Sequence, residues 1–171
     1  MIALTEKYRP YVLREITGQP CIPSLVQLVA HPRPCAVLLA GPTGTGKTSA
    51  ARALANELRC FDGAYPTSYT ICGAEMNSAS VVRWFGPQSP FTLPAPCGWH
   101  CLIIERLEDT GKRPLAMLET VLETRLVEHA NVVVITTANK LDRLPTSLLD
   151  RFRRFDFDGG AILAAGFVRY L

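Results

Sequence analysis

The sequence lacks the long apolar run that a membrane span needs. No stretch approaches the roughly 18 consecutive apolar residues of a transmembrane helix, although 48% of the 171 residues are hydrophobic. A secretory leader is missing too, because charges appear early, at Glu6, Lys7 and Arg9. Repeats and low-complexity tracts are absent. These absences predict a globular protein of the cell interior, cytoplasmic or in the nucleoid or nucleus, without a membrane partner.

Strong charge of either sign is also missing. The formal net charge is +3, with 19% charged residues, and by itself this does not indicate a nucleic-acid binder. A chain of 171 residues is about the size of one domain and can bury a real core. We therefore expect one domain, whose partners must be inferred from specific motifs.

Cysteine spacing of the zinc-knuckle kind is missing as well. The six cysteines are scattered, and in an intracellular chain most are expected to be reduced core residues. Cys97, His100 and Cys101 form the tightest cluster, and thiolate and imidazole are ligands that zinc prefers. Cys101 begins an apolar strand, however, so its side chain is expected to point away from that of His100. A metal site and ordinary packing both stay open, and the spacing favours packing.

A glycine-rich run lies between an apolar strand, residues 35–40, and a helical pattern. Its sequence, Gly-Pro-Thr-Gly-Thr-Gly-Lys-Thr, matches the phosphate-binding P-loop. In such a loop the backbone N–H groups face the β-phosphate and the helix adds its positive end, while Lys47 supplies a charge and Thr48 would ligate Mg²⁺. The run predicts a nucleoside triphosphate site. Its residues are Gly41, Pro42, Thr43, Gly44, Thr45, Gly46, Lys47, Thr48 and Ser49.

Strands and helices alternate along the rest of the chain, which predicts an α/β fold with a mostly parallel sheet. Proline-rich residues 86–98 predict an irregular surface loop. The predicted helices are 47–59, 78–85 capped by Asn77 or Ser78, one that opens at Pro114, and 145–150. The predicted strands are 35–40, 68–72, 100–105, 131–136 and 154–157.

The strand over residues 100–105 ends in Glu105, which Arg106 follows. A P-loop NTPase needs an acid here to hold Mg²⁺ through water, and a second carboxylate to orient or deprotonate the attacking water. Glu105 fits the first role, but Arg106 stays protonated and cannot serve as a base. Glu108 or Asp109 could substitute only if the chain turns back toward the γ-phosphate. The sequence therefore predicts nucleotide binding and leaves turnover open.

Two further residues have a functional and an ordinary interpretation. Asn139 follows the strand 131–136, where an amide could bond a γ-phosphate or position water, but an asparagine before Lys140 is also common in turns. Arg151 lies in a basic cluster beside a short helix. It could reach a neighbouring subunit's γ-phosphate or belong to a solvated basic face.

Together these residues resemble the AAA+ ATPases, and among them the clamp loaders, most closely replication factor C small subunits. Residues 5–10, Thr-Glu-Lys-Tyr-Arg-Pro, and 13–19, ending in Gly-Gln, are similar to that family's amino-terminal box. The likeness implies that Tyr8, Arg9 and Pro10 wrap the adenine and ribose.

Three weaker boxes extend the resemblance along the chain. Residues 75–79, Glu-Met-Asn-Ser-Ala, are similar to the family's Glu-Leu-Asn-Ala-Ser run. Asn139 matches the sensor 1 position, and residues 147–152 are similar to the element that carries the arginine finger, here Arg151. The boxes occur in the family's order over nearly the whole chain.

The resemblance implies a P-loop NTPase three-layer sandwich, with a mostly parallel five-stranded sheet and helices on both faces. It also implies ATP with Mg²⁺, a ring or partial ring of AAA+ subunits, and work on DNA or a DNA-bound clamp. Two departures limit it: Arg106 replaces the Walker B glutamate, and the chain stops at Leu171, where a helical lid would begin. We expect an AAA+ core over 1–157 and a truncated lid helix or tail over 158–171.

Three functional hypotheses follow. The first is a clamp-loader-like ATP-binding core that couples binding, with weak hydrolysis, to subunit assembly in DNA replication or repair. The second is a regulatory or scaffold subunit without hydrolysis, whose Arg151 acts on a partner's ATP. The third, a small P-loop kinase, fits less well because no acceptor-binding arginine lid is visible and the amino-terminal box stays unexplained.

Overall fold

The computed structural model describes residues 9–60, 67–95, 98–124, 126 and 131–159. Strands and helices alternate in this part of the chain. The strands are β1 (Cys35–Ala40), β2 (Ser68–Cys72), β3 (His100–Glu105), β4 (Val132–Ala138) and β5 (Arg153–Asp156). The helices are α1 (Ile22–Ala30), α2 (Lys47–Glu57), α3 (Ser78–Phe85), α4 (Lys112–Thr124) and α5 (Thr146–Leu149). None of these helices combines the length and apolarity of a membrane span.

The five strands form one sheet in the order β2-β3-β4-β1-β5, and every pair of neighbours is parallel. The predicted parallel five-stranded sheet is therefore confirmed. Ala40 lies beside Ala138 and Asp156 at the carboxyl edge. This edge is where open parallel sheets bind ligands, and it is the edge at which the P-loop leaves β1.

Two hydrophobic cores cover the two faces of the sheet. Ala36, Leu38 and Ala40 of β1 pack into a core with α3, α4 and α5. Val37 and Leu39 point the other way and pack with α1 and α2. Since β1 buries both faces, its sequence is continuously apolar rather than alternating. The predicted three-layer arrangement is confirmed.

The structure corrects several predicted boundaries and adds one helix. Helix α1 was not expected, although Ile22, Leu25 and Leu28 repeat at helical spacing and are buried. Helix α2 ends at Glu57 rather than residue 59, because Arg59 adopts a left-handed φ of 62°. Strand β4 runs two residues further than expected, and β5 begins one residue earlier.

The prediction of an irregular surface loop over residues 86–98 is wrong at its centre. Pro90–Thr92 forms a short 3-10 helix, with the Ser89 hydroxyl accepting from the Phe91 N–H at 3.1 Å. The Phe91 ring is buried and packs edge-on against Phe85, at 5.6 Å between centroids. An aromatic residue between the prolines thus draws the loop into the core.

The tightest cysteine cluster is divided by the sheet. His100 packs against Phe91, and its Nε2 lies 2.9 Å from Leu93 O. Cys101 lies in the opposite core, with its Sγ 3.2 Å from Cys60 Sγ. Within the described ranges no group of three His, Cys, Asp or Glu side chains could hold a metal ion. These contacts fit the packing interpretation for His100 and Cys101.

Some predicted features lie outside the described residues. They include Tyr8 and the start of the amino-terminal box, the turn around residues 62–66, Cys97, and residues 160–171 of the expected lid segment.

Candidate nucleotide-binding site

The P-loop leaves the buried end of β1 and turns into α2. Gly41 lies so close to Phe157, the residue after β5, that a Cβ at Gly41 would clash with the Phe157 carbonyl oxygen. Gly44 and Gly46 adopt left-handed φ values of 85° and 93°, which favour glycine. Ala50 N–H donates to Gly46 O at 2.8 Å, so the first turn of α2 grows directly from the loop. This geometry directs the amino end of α2 into the concavity of the loop.

The loop borders a cavity of about 320 Å³ at the carboxyl edge of the sheet. Most of its lining comes from the P-loop, and three residues come from the ends of β3 and β4. The lining residues are Thr43, Gly44, Gly46, Lys47, Thr48, Ser49, Arg106, Thr137 and Asn139. The structure therefore brings Asn139 to the predicted phosphate site.

Lys47 is buried in the loop, with 6% of its surface exposed. Its Nζ donates to Pro42 O at 2.5 Å and lies 3.4 Å from Thr45 Oγ1. Burial lowers the pKa of Lys47, and the negative charge of Glu108 acts in the opposite direction. A polyanion in the cavity would compensate this buried cation more completely than a carbonyl does.

Gln19 holds the P-loop from behind, a role that the motif alone did not reveal. Its Nε2 donates to Thr45 O at 3.2 Å and to Asp158 O at 3.0 Å, and its Oε1 accepts from Asp158 N–H at 2.9 Å. Gln19 is only 6% exposed. One amide thus fastens the amino-terminal segment, the P-loop and the chain after β5 to one another. The available sequence signal was the Gly-Gln pair that ends the amino-terminal box.

Glu105, the last residue of β3, and Arg106, which follows it, have different surroundings. Glu105 Oε1 lies 3.7 Å from Arg52 on α2, and it is buried without a hydrogen-bond partner within the described residues. Arg106 lines the cavity, and its guanidinium pairs with Asp109 at 2.6 Å. The position after the strand therefore presents a paired cation, rather than an acid, to the phosphate site.

Glu108 lies behind Asn139 instead of facing solvent. Its Oε1 accepts from the Asn139 N–H at 3.0 Å and from the Asn139 Nδ2 at 2.9 Å. The chain does turn back after Arg106. Glu108, which the sequence analysis named as a possible substitute acid, therefore contacts Asn139, and Asn139 in turn lines the cavity.

Comparison with known proteins agrees with this geometry. Residues 37–88 match the family described as AAA, the ATPase family associated with various cellular activities. A Thermotoga maritima RuvB variant superposes with a TM-score of 0.72 and 20% identity, over 94% of this chain and 53% of that chain. This match shows the shared fold. The chain carries an AAA+ ATPase core.

Two replication proteins are similar to this AAA+ core in sequence. The replication factor C large subunit of Methanopyrus kandleri is 45% identical over 185 residues, which covers 92% of this chain. The Mycobacterium tuberculosis DNA polymerase III subunit gamma/tau is 41% identical over 73 residues, or 42% of this chain. The chain spans only 34% and 13% of the length of these curated relatives. The AAA+ core is therefore related to replication subunits.

The described residues fit the nucleotide and metal that AAA+ proteins use. The cavity offers Lys47 to phosphate, and Thr48 lines it where a metal-ligating hydroxyl is expected. Glu105 does not line the cavity, but its buried Oε1, 3.7 Å from Arg52, accepts no hydrogen bond in the described ranges. Thr48 and Glu105 would hold Mg²⁺, which would neutralise charge on the phosphates.

The remaining predicted site residues lie away from the cavity. Arg151 is exposed, and its guanidinium donates to Glu123 on α4 at 2.8 Å. It does not line the cavity of its own chain. Arg9 and Pro10 are half-buried and also do not line the cavity. The structure therefore joins the P-loop with Asn139 and with Gln19 of the amino-terminal box, but not with Arg151, Arg9 or Pro10.

Proposed function

We propose that this AAA+ core binds ATP with Mg²⁺ and couples binding to assembly with other AAA+ subunits in DNA replication or repair. Hydrolysis by the isolated chain is weak. We assign residues 1–157 to the nucleotide-binding core and 158–171 to a truncated lid helix or a tail, and we expect the protein to work in the cell interior. The similarity to replication factor C and to the gamma/tau subunit supports the choice of process.

One observation carries the ATP-binding proposal. The buried ammonium of Lys47 lies at the base of a glycine-rich loop, beside the amino end of α2 and the cavity. Inward backbone N–H groups, a helix dipole and a lysine together favour polyphosphate. Asn139 lines the same cavity and has the chemistry to contact the γ-phosphate.

The weak hydrolysis that we propose is explained by Arg106, the residue after β3. A general base must accept a proton from the attacking water. Arg106 is permanently protonated, and at the rim of the cavity its charge favours bound phosphate rather than proton removal. Glu105 is assigned to the metal side, where Mg²⁺ would supply charge neutralisation and orientation.

Steady-state phosphate release from purified protein tests the hydrolysis part. We expect slow release by the chain alone and faster release when partner AAA+ subunits are added. Brisk release by the chain alone that also survives Glu108→Gln and Asp109→Asn would contradict an impaired site.

A second function is favoured by the position of Arg151. Its guanidinium is exposed on the surface, paired with Glu123, and absent from the lining of its own cavity. Such an arginine can serve a neighbouring subunit's γ-phosphate, where it would stabilise transition-state charge. The chain would then be a nucleotide-dependent regulatory or scaffold subunit that supplies an arginine finger.

A further inference from the structure

The turn that follows β3 reverses the chain within a few residues. Arg106 adopts a left-handed φ of 57°, and a short 3-10 helix, Leu107–Asp109, follows it. The Arg106 N–H donates to Thr137 Oγ1 on β4 at 3.0 Å. On the other side, Gly73 fits so closely that a Cβ there would lie 2.2 Å from Arg106 O. The turn is therefore held from both sides, and it carries Glu108 back beside β4.

The Glu108 carboxylate fixes the residue at the end of β4. It is 9% exposed, and a single oxygen accepts both the backbone N–H and the side-chain Nδ2 of Asn139. An ionised carboxylate has no hydrogen-bond donor and can only accept. This contact therefore determines that the NH₂ end of the Asn139 amide faces Glu108. The amide oxygen and one remaining N–H of Asn139 are left for other partners.

Burial of the other carboxylate oxygen of Glu108 costs free energy. Glu108 Oε2 is buried and has no hydrogen-bond partner in the part of the chain that the structure describes. A buried carboxylate oxygen without a hydrogen-bond partner costs free energy. This cost is offset by the carboxylate's two hydrogen bonds from Asn139 and by its electrostatic interaction with Lys47, and the contact with Asn139 is specific.

We propose that Glu108 is the positioning residue for the γ-phosphate end of the site. By holding Asn139 from behind, it presents the asparagine amide to the terminal phosphate and makes the site prefer ATP over ADP. This inference rests on the proposed ATP binding. It assigns to Glu108 a role in recognition, which the residue performs through Asn139 without touching the nucleotide.

The ratio of ATP affinity to ADP affinity tests the role, because a purely structural residue would change both affinities alike. We expect Glu108→Ala to lower this ratio about tenfold, the size of one charge-assisted hydrogen bond, with ADP affinity retained. Glu108→Gln keeps an acceptor at the same reach and should retain the ratio. The exposed Glu75, on the neighbouring turn, offers a matched control in Glu75→Ala, which should also retain it.

A double-mutant cycle shows whether Glu108 acts through Asn139. In an Asn139→Ala background, Glu108→Ala should cause no further drop in the ratio. An equal drop in both backgrounds would overturn the proposal, as would a wild-type ratio in Glu108→Ala.

Two more outcomes have defined meanings. If Glu108→Ala does not fold, Glu108→Asp replaces it. The shorter aspartate cannot reach Asn139, so we expect Glu108→Asp to lower the ratio of ATP affinity to ADP affinity and Glu108→Gln to retain it. Equal ratios for Glu108→Asp and Glu108→Gln would refute the role. Wild-type protein that binds neither nucleotide refutes the proposed function itself. Tight ATP binding with no preference over ADP refutes only the role of Glu108.

Discussion

Two basic side chains at the phosphate site have different effects on function. Lys47 is buried at the base of the P-loop, where a cation serves binding. Arg106 lies at the rim, where an acid would serve hydrolysis. Because both are positively charged, the site is better suited to retain a polyphosphate than to cleave it. Binding and turnover can therefore be separated by single substitutions.

Substitution of Arg106 tests this separation. Arg106→Glu places a carboxylate where the base is missing, and we expect phosphate release at least about tenfold faster, since general bases contribute roughly 10² to 10⁴ in rate. Arg106→Gln is the matched control, because it also removes the ion pair with Asp109 but cannot accept the proton. Equal rates for the two variants would show that the missing acid does not limit turnover.

Gln19 is the residue that ties the P-loop to its surroundings. Gln19→Ala removes hydrogen bonds to Thr45 and Asp158 and leaves buried backbone groups unpaired. We expect a loss of about 1–3 kcal/mol in the free energy of unfolding, with weaker ATP binding. Urea denaturation and calorimetry measure the two effects.

The exposed Gln27 on α1 provides the control for this change. Gln27→Ala should alter neither the stability nor the affinity. Wild-type stability and affinity in Gln19→Ala would exclude a role for Gln19 in seating the loop.

At the level of secondary-structure elements, the geometry of the phosphate site depends on the turn that follows β3. The turn after Arg106 packs against the short helix Gly73–Glu75 and against β4, and it orients Glu108 toward Asn139. Gly73 is required there for space, since its neighbours leave no room for a side chain. The geometry of the phosphate site is therefore linked to a contact with the end of β2.

Gly73→Ala tests that link. Its Cβ would meet Arg106 O at 2.2 Å and Thr110 Oγ1 at 2.9 Å, so the turn must shift. We expect destabilisation of about 1–3 kcal/mol in urea denaturation. Gly111→Ala is the control, because its nearest neighbour, Pro114 Cδ, is 3.6 Å away and the change should be almost neutral. Equal stability of the two variants would contradict the close packing of the turn.

The sequence predicted those elements whose signals are local. The P-loop and the apolar strands β1, β3 and β4 could be read from short runs, because two buried faces require continuous apolar sequence. Helix α1 was missed although its buried residues repeat at helical spacing. The buried centre of the loop after α3 was missed because four prolines concealed the contribution of Phe91.

The long-range contacts of the site could not be read in the same way. Glu108 meets Asn139 across 31 positions of sequence, and Gln19 meets Asp158 across 139. Each contact depends on the left-handed turn at Arg106 or on the order of strands, and neither leaves a local pattern. The sequence could only name Glu108 as an acid that would matter if the chain turned back.

At the level of the whole molecule, the described surface carries one residue that fits a role between subunits. Arg151 is held by Glu123 on α4, outside the cavity of its own chain. Beyond this ion pair, we propose that Arg151 acts on the nucleotide of a neighbouring AAA+ subunit. Assembly is therefore part of the proposed function.

Arg151→Ala tests assembly through the partner's activity. We expect the ATPase rate of a partner AAA+ subunit to fall at least about tenfold, because arginine fingers contribute 10³ or more in some systems, while this chain's own ATP affinity is retained. Arg154→Ala is a control, since Arg154 is an exposed arginine paired with Asp156 on β5. A partner rate that is unchanged by Arg151→Ala would argue against the finger.

Calorimetric titration of the purified chain with Mg²⁺-ATP tests most directly whether the P-loop holds nucleotide. Wild-type protein should show saturable binding, and Lys47→Ala should lose it, because that variant keeps the loop but removes its buried cation. Lys112→Ala, which removes an exposed lysine at the start of α4, should bind as wild type does. Absence of binding by the wild-type protein, or equal binding by Lys47→Ala, would contradict a nucleotide site at this loop.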